Sequence, residues 1–327
     1  MPANLPPEFF EVEKKYRTAR TLQEKIAALK EMLSVMPRHK GTDKLHAEIR
    51  AKISRLQKEL ETQKKTGKRT FSLYVPREGA GQVALLGVTN SGKSSLLASL
   101  TNKKPLIADY PFTTTAPEVG MMKYEDVQIQ LVDLPPIRDG KVEYWQREIY
   151  RNCDLLALVV NPVSKDPISE VEDISKTLEN IGIELSQEDE YSFSGKQKKR
   201  HIWIFTHADV EEARENLEFL KEEFPFLEAS FLVSCKTGEG LEDLRKEIFR
   251  RLKIIRVYTK EPGKQPDLSD PLILPEGADV LEAAEKIHKD FARKLKYARV
   301  WGSSKFPGQR VERNYVLKDR DIVEFHI

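Results

Sequence analysis

An α/β fold built on a mostly parallel sheet, with a helical hairpin before it and a small β-rich unit after it, is what this 327-residue sequence predicts. Three observations carry the expectation. Short apolar runs recur between residues 83 and 234 and alternate with helix-like segments, the order of a parallel sheet with helices on both faces. Residues 8–34 and 43–65 repeat apolar side chains at helical spacing. Beyond Pro262 and Pro266, residues 267–327 hold a helix pattern near 278–296 with short strand patterns around it.

Each element has a local reason. In the arm (residues 1–70), Leu22, Ile26, Leu29 and Leu33 share one helical face, and Leu45, Ile49, Ile53, Leu56 and Leu60 share another. Pro37 and Gly41 break the helix between them, so the two segments read as an antiparallel hairpin. Residues 80–255 form the central domain. Its strand candidates are VALLG (83–87), VQIQLVD (127–133), LLALVV (155–160), HIWIF (201–205) and ASFLVS (229–234). The segment 164–200 is polar and ends in the basic run GKQKKR, which reads as a loop or short excursion. The prolines at 262, 266, 271 and 275 read as a second linker before the 267–327 unit.

Composition narrows the function classes. With 39% hydrophobic and 32% charged residues, the chain reads as a globular protein with a polar surface. No apolar run approaches the roughly 20 residues that span a bilayer. The first residues lack the basic start and apolar core of a secretion signal. Two cysteines, Cys153 and Cys235, make no disulfide framework, and the six histidines show no metal-ligand spacing. Cytoplasmic location and a monomer are the default expectations. The arm carries 17 basic against 9 acidic residues, whereas 267–327 carries 11 of each. A basic arm on a more acidic body suits a polyanion such as structured RNA, although a solvated helical surface accounts for the charge equally well.

The chemistry is concentrated at strand ends. Gly87 to Ser94 reads G-x-x-x-x-G-K-S, follows a predicted strand and opens a predicted helix, the context a phosphate-binding P-loop requires. Its glycines let backbone N–H groups close around a phosphate chain, and the helix N-terminus adds a favourable field. Lys93 is placed to reach the outer phosphates and Ser94 to ligate Mg²⁺. Asp133 ends a later strand and can hold the Mg²⁺ shell through water. DYPFTTTAP lies between them, where a switch threonine belongs. FTHAD (205–209) puts Asp209 at a strand end, where its carboxylate can accept from two N–H groups of guanine. SCKTG supplies Ser234, Cys235 and Lys236 to close over the base. Ligands in open α/β sheets bind at such strand ends.

The stretches VALLGVTNSGKSSLLASLTN, ADYPFTTTAPEVG, QLVDLP, LKIIRVYTKEPGKQPD and KIHKDFARKLKYARVWGSS resemble the Obg-related GTPases, and most of all the developmentally regulated GTP-binding proteins. The last stretch, with VLKDRDIVEFHI, resembles the TGS domain, a small β-grasp module; HKGTDKLHAEIRAKISRLQKEL in the arm resembles that family's N-terminal region. The family's inserted domain looks cut down to about 162–200. The resemblance implies a P-loop GTPase domain, slow Mg²⁺-dependent GTP hydrolysis, and association with a ribosome or structured RNA, with a further protein partner left open.

Carried over by position, the resemblance implies a P-loop set of Gly87, Asn90, Ser91, Gly92, Lys93, Ser94 and Ser95. It implies Thr114 as the metal-binding and catalytic switch threonine, with Thr113 and Thr115 as rivals. Thr206 and His207 stand where the family has Asn and Lys. A threonine hydroxyl can still tie the base loop to the P-loop, and His207 could cover the purine. Asn90 occupies a position that in some related GTPases helps to bind K⁺; otherwise it shapes the loop. The family's Asp-x-Pro-Gly is here Asp133-Leu134-Pro135-Pro136. Proline has no N–H to give a γ-phosphate. Ile137 stands where Ras-like enzymes orient water with glutamine. A weakened switch is therefore expected, and the alternative is a nucleotide-binding RNA scaffold or adaptor that does not hydrolyse. Trp301 could stack on a base, but core packing of the small domain is the competing reading.

Overall fold

The computed structural model describes residues 12, 22–37, 42, 46, 49–50, 52–54, 75–101, 106–107, 116–138, 140–186 and 196–327. The chain divides into two units, Met1–Ser72 and Leu73–Ile327. In the first, helix α1 (Leu22–Val35) buries Ala28, Leu29 and Met32 in a small core with Val12, Met36, Ile49 and Ile53. Most of the expected second arm helix, 43–65, lies outside the described residues, but residues 46, 49–50 and 52–54 are helical. Arg50 and Lys52 of the basic arm are exposed.

The second unit contains two sheets. The larger is built from β1 (Gln82–Leu86), β2 (Leu106–Ile107), β3 (Glu118–Tyr124), β4 (Val127–Asp133), β5 (Leu155–Val160), β6 (Ile183–Ser186), β7 (Gln197–Phe205) and β8 (Phe231–Leu232). Its order is β2-β3-β4-β1-β5-β7-β6, with β8 also pairing β7. Strands β4, β1, β5 and β7 run parallel, and β2–β3–β4 form an antiparallel edge. Each parallel strand alternates between two buried faces. In β5, Leu156, Leu158 and Val160 point to one core, and Leu155, Ala157 and Val159 to the other. The first core is closed by α3 (Tyr144–Asn152), α4 (Pro167–Asn180) and α5 (Glu212–Glu223). The second is closed by α2 (Lys93–Leu100) and α6 (Leu241–Arg251). Both faces being covered explains the near-continuous apolar runs of these strands. Their C-terminal ends, at Leu86, Asp133, Val160 and Phe205, open onto one rim.

Within 164–200, read as a loop or short excursion, the described residues are mostly helix and strand. Asp166 caps α4 by accepting from the Ser169 N–H at 3.0 Å, and Pro167 occupies the first turn, where its missing donor costs nothing. Ile168, Val171, Ile174 and Leu178 of α4 pack against the core and Thr177 is buried beside them, so an apolar stripe is hidden among polar residues. The basic run is strand too: Gln197–Arg200 pairs with β6, and Lys199 is buried, donating to the Cys153 carbonyl. On the same edge, beside the C-terminal end of β7, ASFLVS contributes only the two residues of β8.

The smaller sheet comprises β9 (Ile254–Thr259), β10 (Asp267–Pro275), β11 (Tyr297–Trp301), β12 (Gln309–Val311) and β13 (Asp321–His326), in the order β10-β9-β13-β11-β12. β13 lies parallel to β9 and the other pairs are antiparallel. The unit therefore takes in Ile254–Thr259, upstream of the expected start at 267. Pro271 and Pro275, read as linker residues, lie in β10, an edge strand, where proline is tolerated. The expected single helix near 278–296 is two, α7 (Val280–Ile287) and α8 (Lys289–Lys294). The break is at His288, which turns extended and accepts from the Asp290 N–H at 3.2 Å. Trp301 is half-buried and is not part of the core cluster of this unit: Lys260 Nζ sits 4.8 Å from its ring centroid, and a side chain at Gly308 would collide with it.

The two sheets are joined at the turn of the β3–β4 hairpin. Arg256 of β9 is only 3% exposed and reaches Glu125, Asp126 at 2.6 Å and Asp319 at 2.7 Å. Its guanidinium lies 4.7 Å from the Phe249 ring centroid. Tyr258 donates to Asp126, and Arg320 pairs with Glu125 at 2.5 Å. Hydrogen bonds from Arg256 and Arg320 hold the Glu125 carboxyl below its usual range. Such a carboxylate stabilises the fold above its unfolded pKa, near 4.5, and that contribution is lost as pH falls through the lowered folded value. Acidification is therefore expected to weaken this junction. The acid-side fall of the thermal midpoint should be shallower in Glu125→Gln, and an unchanged slope would refute the assignment.

Candidate functional site

β1 delivers the chain to Gly87, the loop 88–92 turns back, and α2 starts at Lys93. The loop needs unusual backbone at two points. Gly92 has φ of 95°, and a side chain there would press on Thr206 at 2.9 Å. Asn90 has φ of 62°, a left-handed conformation that asparagine adopts more readily than most residues. That accounts for the asparagine as a loop-shaping residue. At Gly87, any Cβ would collide with the Val159 carbonyl and crowd Ser91.

Lys93 is buried, and its ammonium donates to the carbonyls of Gly87 at 3.0 Å and Val88 at 2.9 Å. Burial lowers its pKa, while Asp133 and Glu170 pull it back up. Ser94 donates to Asp133 Oδ2 at 2.5 Å. The other carboxylate oxygen, Oδ1, is buried and has no hydrogen-bond partner among the described residues. Burial pushes the Asp133 carboxyl above its usual range; the Ser94 hydrogen bond and Lys93 oppose this, and the charge of Glu118 adds to it. An orphaned carboxylate oxygen beside a serine hydroxyl is an oxygen-only donor set that fits a hard cation such as Mg²⁺. No group of three or more His, Cys, Asp or Glu side chains suited to a metal occurs among the described residues. A cation here would need phosphate oxygens or water to complete its shell.

The hollow around these groups is lined by Thr89–Ser95, Ala116, Glu118 and Asp133–Pro136. Pro136 thus sits where the sequence placed it. Ile137 does not face the hollow: it is 2% exposed, packed in the core that contains Trp145 and Ile149, and its N–H donates to the Gly87 carbonyl at 3.2 Å. Buried Gln146 of α3 holds the Pro135 carbonyl at 2.8 Å. The switch loop is consequently pinned on both sides of Pro136, and neither residue 136 nor residue 137 has a free N–H. Thr113, Thr114 and Thr115 lie outside the described residues.

A second hollow adjoins the first, and Asn90, Gly92 and Ser95 line both. Its remaining wall is Thr206, His207, Asp209, Cys235 and Lys236. The Thr206 hydroxyl donates to the Ser91 carbonyl at 3.0 Å, so the expected tie between the two loops is present. His207 Nδ1 lies 2.8 Å from the same hydroxyl. Because that hydroxyl has one proton and a carbonyl can only accept, Nδ1 is placed to donate to the hydroxyl. Ser234 differs from expectation: it is fully buried behind Asp209 and donates to its Oδ1 at 2.7 Å, which lowers the Asp209 pKa. It aims the carboxylate and does not line the hollow. Ser234 Oγ also accepts from the N–H groups of Lys236 and Thr237.

Sequence reasoning missed Gln146 and Glu118. Gln146 had no visible signal, because its role depends on where α3 packs. Glu118 had one: counting back from the turn at Glu125–Asp126 pairs it with Asp133.

Two family models match the chain, one described as a 50S ribosome-binding GTPase over residues 82–193 and one as a TGS domain over residues 255–327. An uncharacterized GTP-binding protein of Methanocaldococcus jannaschii is 30% identical, with 92% of each chain covered. Ribosome-interacting GTPase 1 of Saccharomyces cerevisiae is 28% identical over 93% of this chain and 98% of that one. Developmentally-regulated G-protein 3 of Arabidopsis thaliana is 28% identical over the same shares. Identity sustained along nearly the whole length, with a GTPase domain followed by a TGS domain, shows that the chain belongs to the developmentally regulated GTP-binding proteins, an Obg-related group of GTPases.

Proposed function

We propose that this chain binds GTP and GDP with Mg²⁺, hydrolyses GTP slowly, and acts on or beside a ribosome in the cytoplasm. The observation that carries the nucleotide part is the continuous groove. At one end is a lysine-bearing loop beside the orphaned Asp133 oxygen; at the other is a carboxylate aimed by Ser234. Lys93 would stabilise charge on the phosphates, with Ser94 and Asp133 organising the cation. Thr114 remains the proposed switch threonine. Mg²⁺, when bound, neutralises charge developing on the transferred phosphoryl group. The ribosome part rests on the family and on what its yeast relative is named for, together with the basic arm. Among the described residues no helix is long and apolar enough to cross a membrane.

A second reading has its own observation. Ile137 is buried and Pro136 has no donor, so neither of these two positions can orient a water. This favours a nucleotide-binding scaffold that turns over only when a partner completes the site. Titration with GTP, GDP and ATP, followed by phosphate release with and without ribosomes at two salt concentrations, separates the readings; binding through the arm should weaken with salt. Comparing KCl with NaCl in the same assay tests whether Asn90 helps to hold K⁺.

Asp209→Asn should weaken guanine nucleotides by roughly 10- to 150-fold, because hydrogen bonds to a charged group contribute about 1.5–3 kcal/mol. The new amide N–H₂ matches the 2-carbonyl of xanthine, so xanthosine diphosphate should bind better to this variant than to the parent. Equal GDP affinity for both proteins, by calorimetry, would remove Asp209 from base recognition.

A further inference from the structure

Glu118 is the one acidic residue in the phosphate hollow, besides Asp133, among its lining residues. It opens β3, and its Cα partner across the hairpin is Asp133. Directly paired residues of an antiparallel ladder project from the same face, with Cβ atoms about 5 Å apart. Two carboxylates are therefore held side by side at one wall of the hollow. No hydrogen bond or ion pair is made by the Glu118 side chain among the described residues, and it is only partly exposed. Like charges so placed repel each other and would also repel a phosphate chain. The Lys93 ammonium, which donates to the Gly87 and Val88 carbonyls, offsets only one of these two negative charges. The neighbouring Asp133 Oδ1 is buried, unpartnered and part of the same wall.

We infer that Glu118 is a second carboxylate of the divalent-cation site, facing the cation together with Asp133. The inference rests on the nucleotide reading above and adds a residue to it. Mg²⁺ is commonly held by one or two carboxylates plus substrate phosphates, keeping several waters, which is the donor set this wall and a polyphosphate would offer. The consequence is a sharper dependence of nucleotide binding on the cation. With the cation, the paired carboxylates retain the metal–nucleotide complex; without it, they oppose the phosphates.

The test uses the full chain loaded with GDP, with Mn²⁺ as a paramagnetic probe of cation affinity and a fluorescent GDP titrated in Mg²⁺ and in EDTA. Glu118→Gln keeps the shape and removes the charge. It is expected to weaken Mn²⁺ in the GDP complex by about 10- to 100-fold, the usual cost of losing a supporting carboxylate, and to tighten GDP in EDTA. A structural role alone would move neither reading in this pattern. If Ser94→Ala weakens Mn²⁺ but Glu118→Gln leaves it within about twofold of the parent, the assignment of Glu118 is wrong and the site stands. If Ser94→Ala and Asp133→Asn also leave Mn²⁺ affinity unchanged, the reading of the site itself fails and takes this inference with it.

Discussion

Pro136→Gly should raise the ratio of GTP to GDP affinity by roughly 10- to 150-fold, the value of one hydrogen bond to a charged acceptor of about 1.5–3 kcal/mol. The structure makes the expectation sharper than composition could. The loop already lines the phosphate hollow, with its flanks fixed by the Gln146–Pro135 and Ile137–Gly87 hydrogen bonds. A glycine would add one N–H without needing the flanks to move. The diphosphate has no group to receive that N–H, so its affinity should change little. Titration of both nucleotides against both proteins decides the matter. A ratio that stays put means that the donor does not reach the terminal phosphate.

Arg256→Ala is expected to have the largest effect on stability. The arginine is buried between three carboxylates from two sheets and an aromatic ring. Removing it leaves Asp126 and Asp319 without their main cation; because these carboxylates are 22% and 35% exposed and water can take up part of their charge, the cost is about 1.5–3 kcal/mol, the range of a hydrogen bond to a charged group. Arg256→Lys should recover only part of the loss, because an ammonium cannot bridge Asp126 and Asp319 as a planar fork does. Calorimetric unfolding of the full chain should show the C-terminal unit melting as an earlier, separate transition. A single transition at the parent's midpoint would mean that the junction contributes little.

The central parallel strands and the P-loop were legible in the sequence for one reason: in both, local residue type is dictated by position. A strand buried on two faces must be apolar throughout, as LLALVV is, and a loop that wraps phosphate must carry glycine at fixed points. What escaped was decided by neighbours distant in the chain. The α4 stripe of Ile168, Val171, Ile174 and Leu178 is set in a polar stretch and stands out only once the sheet it covers is known. The strand Gln197–Arg200 is basic because its pairing partner is the short edge strand β6, where backbone hydrogen bonds carry the ladder and side chains reach solvent or a carbonyl. Ser234 was recognisable as part of the base loop, but whether it touches a ligand or aims Asp209 depends on a 2.7 Å contact between two loops. Pro136 was readable as a missing donor, whereas the second loss, the Ile137 N–H spent on Gly87, was not.

The hydroxyl of Thr206, bonded to the Ser91 carbonyl, welds two recognition surfaces into one template before any ligand arrives. A molecule that is purine at one end and polyanion at the other thereby gains a chelate advantage. Once either end has docked, the second meets its complement at high local concentration and with little further ordering to suffer. Fragments such as free guanosine or pyrophosphate forgo that advantage, and their separate affinities should multiply to far less than the affinity of the intact molecule.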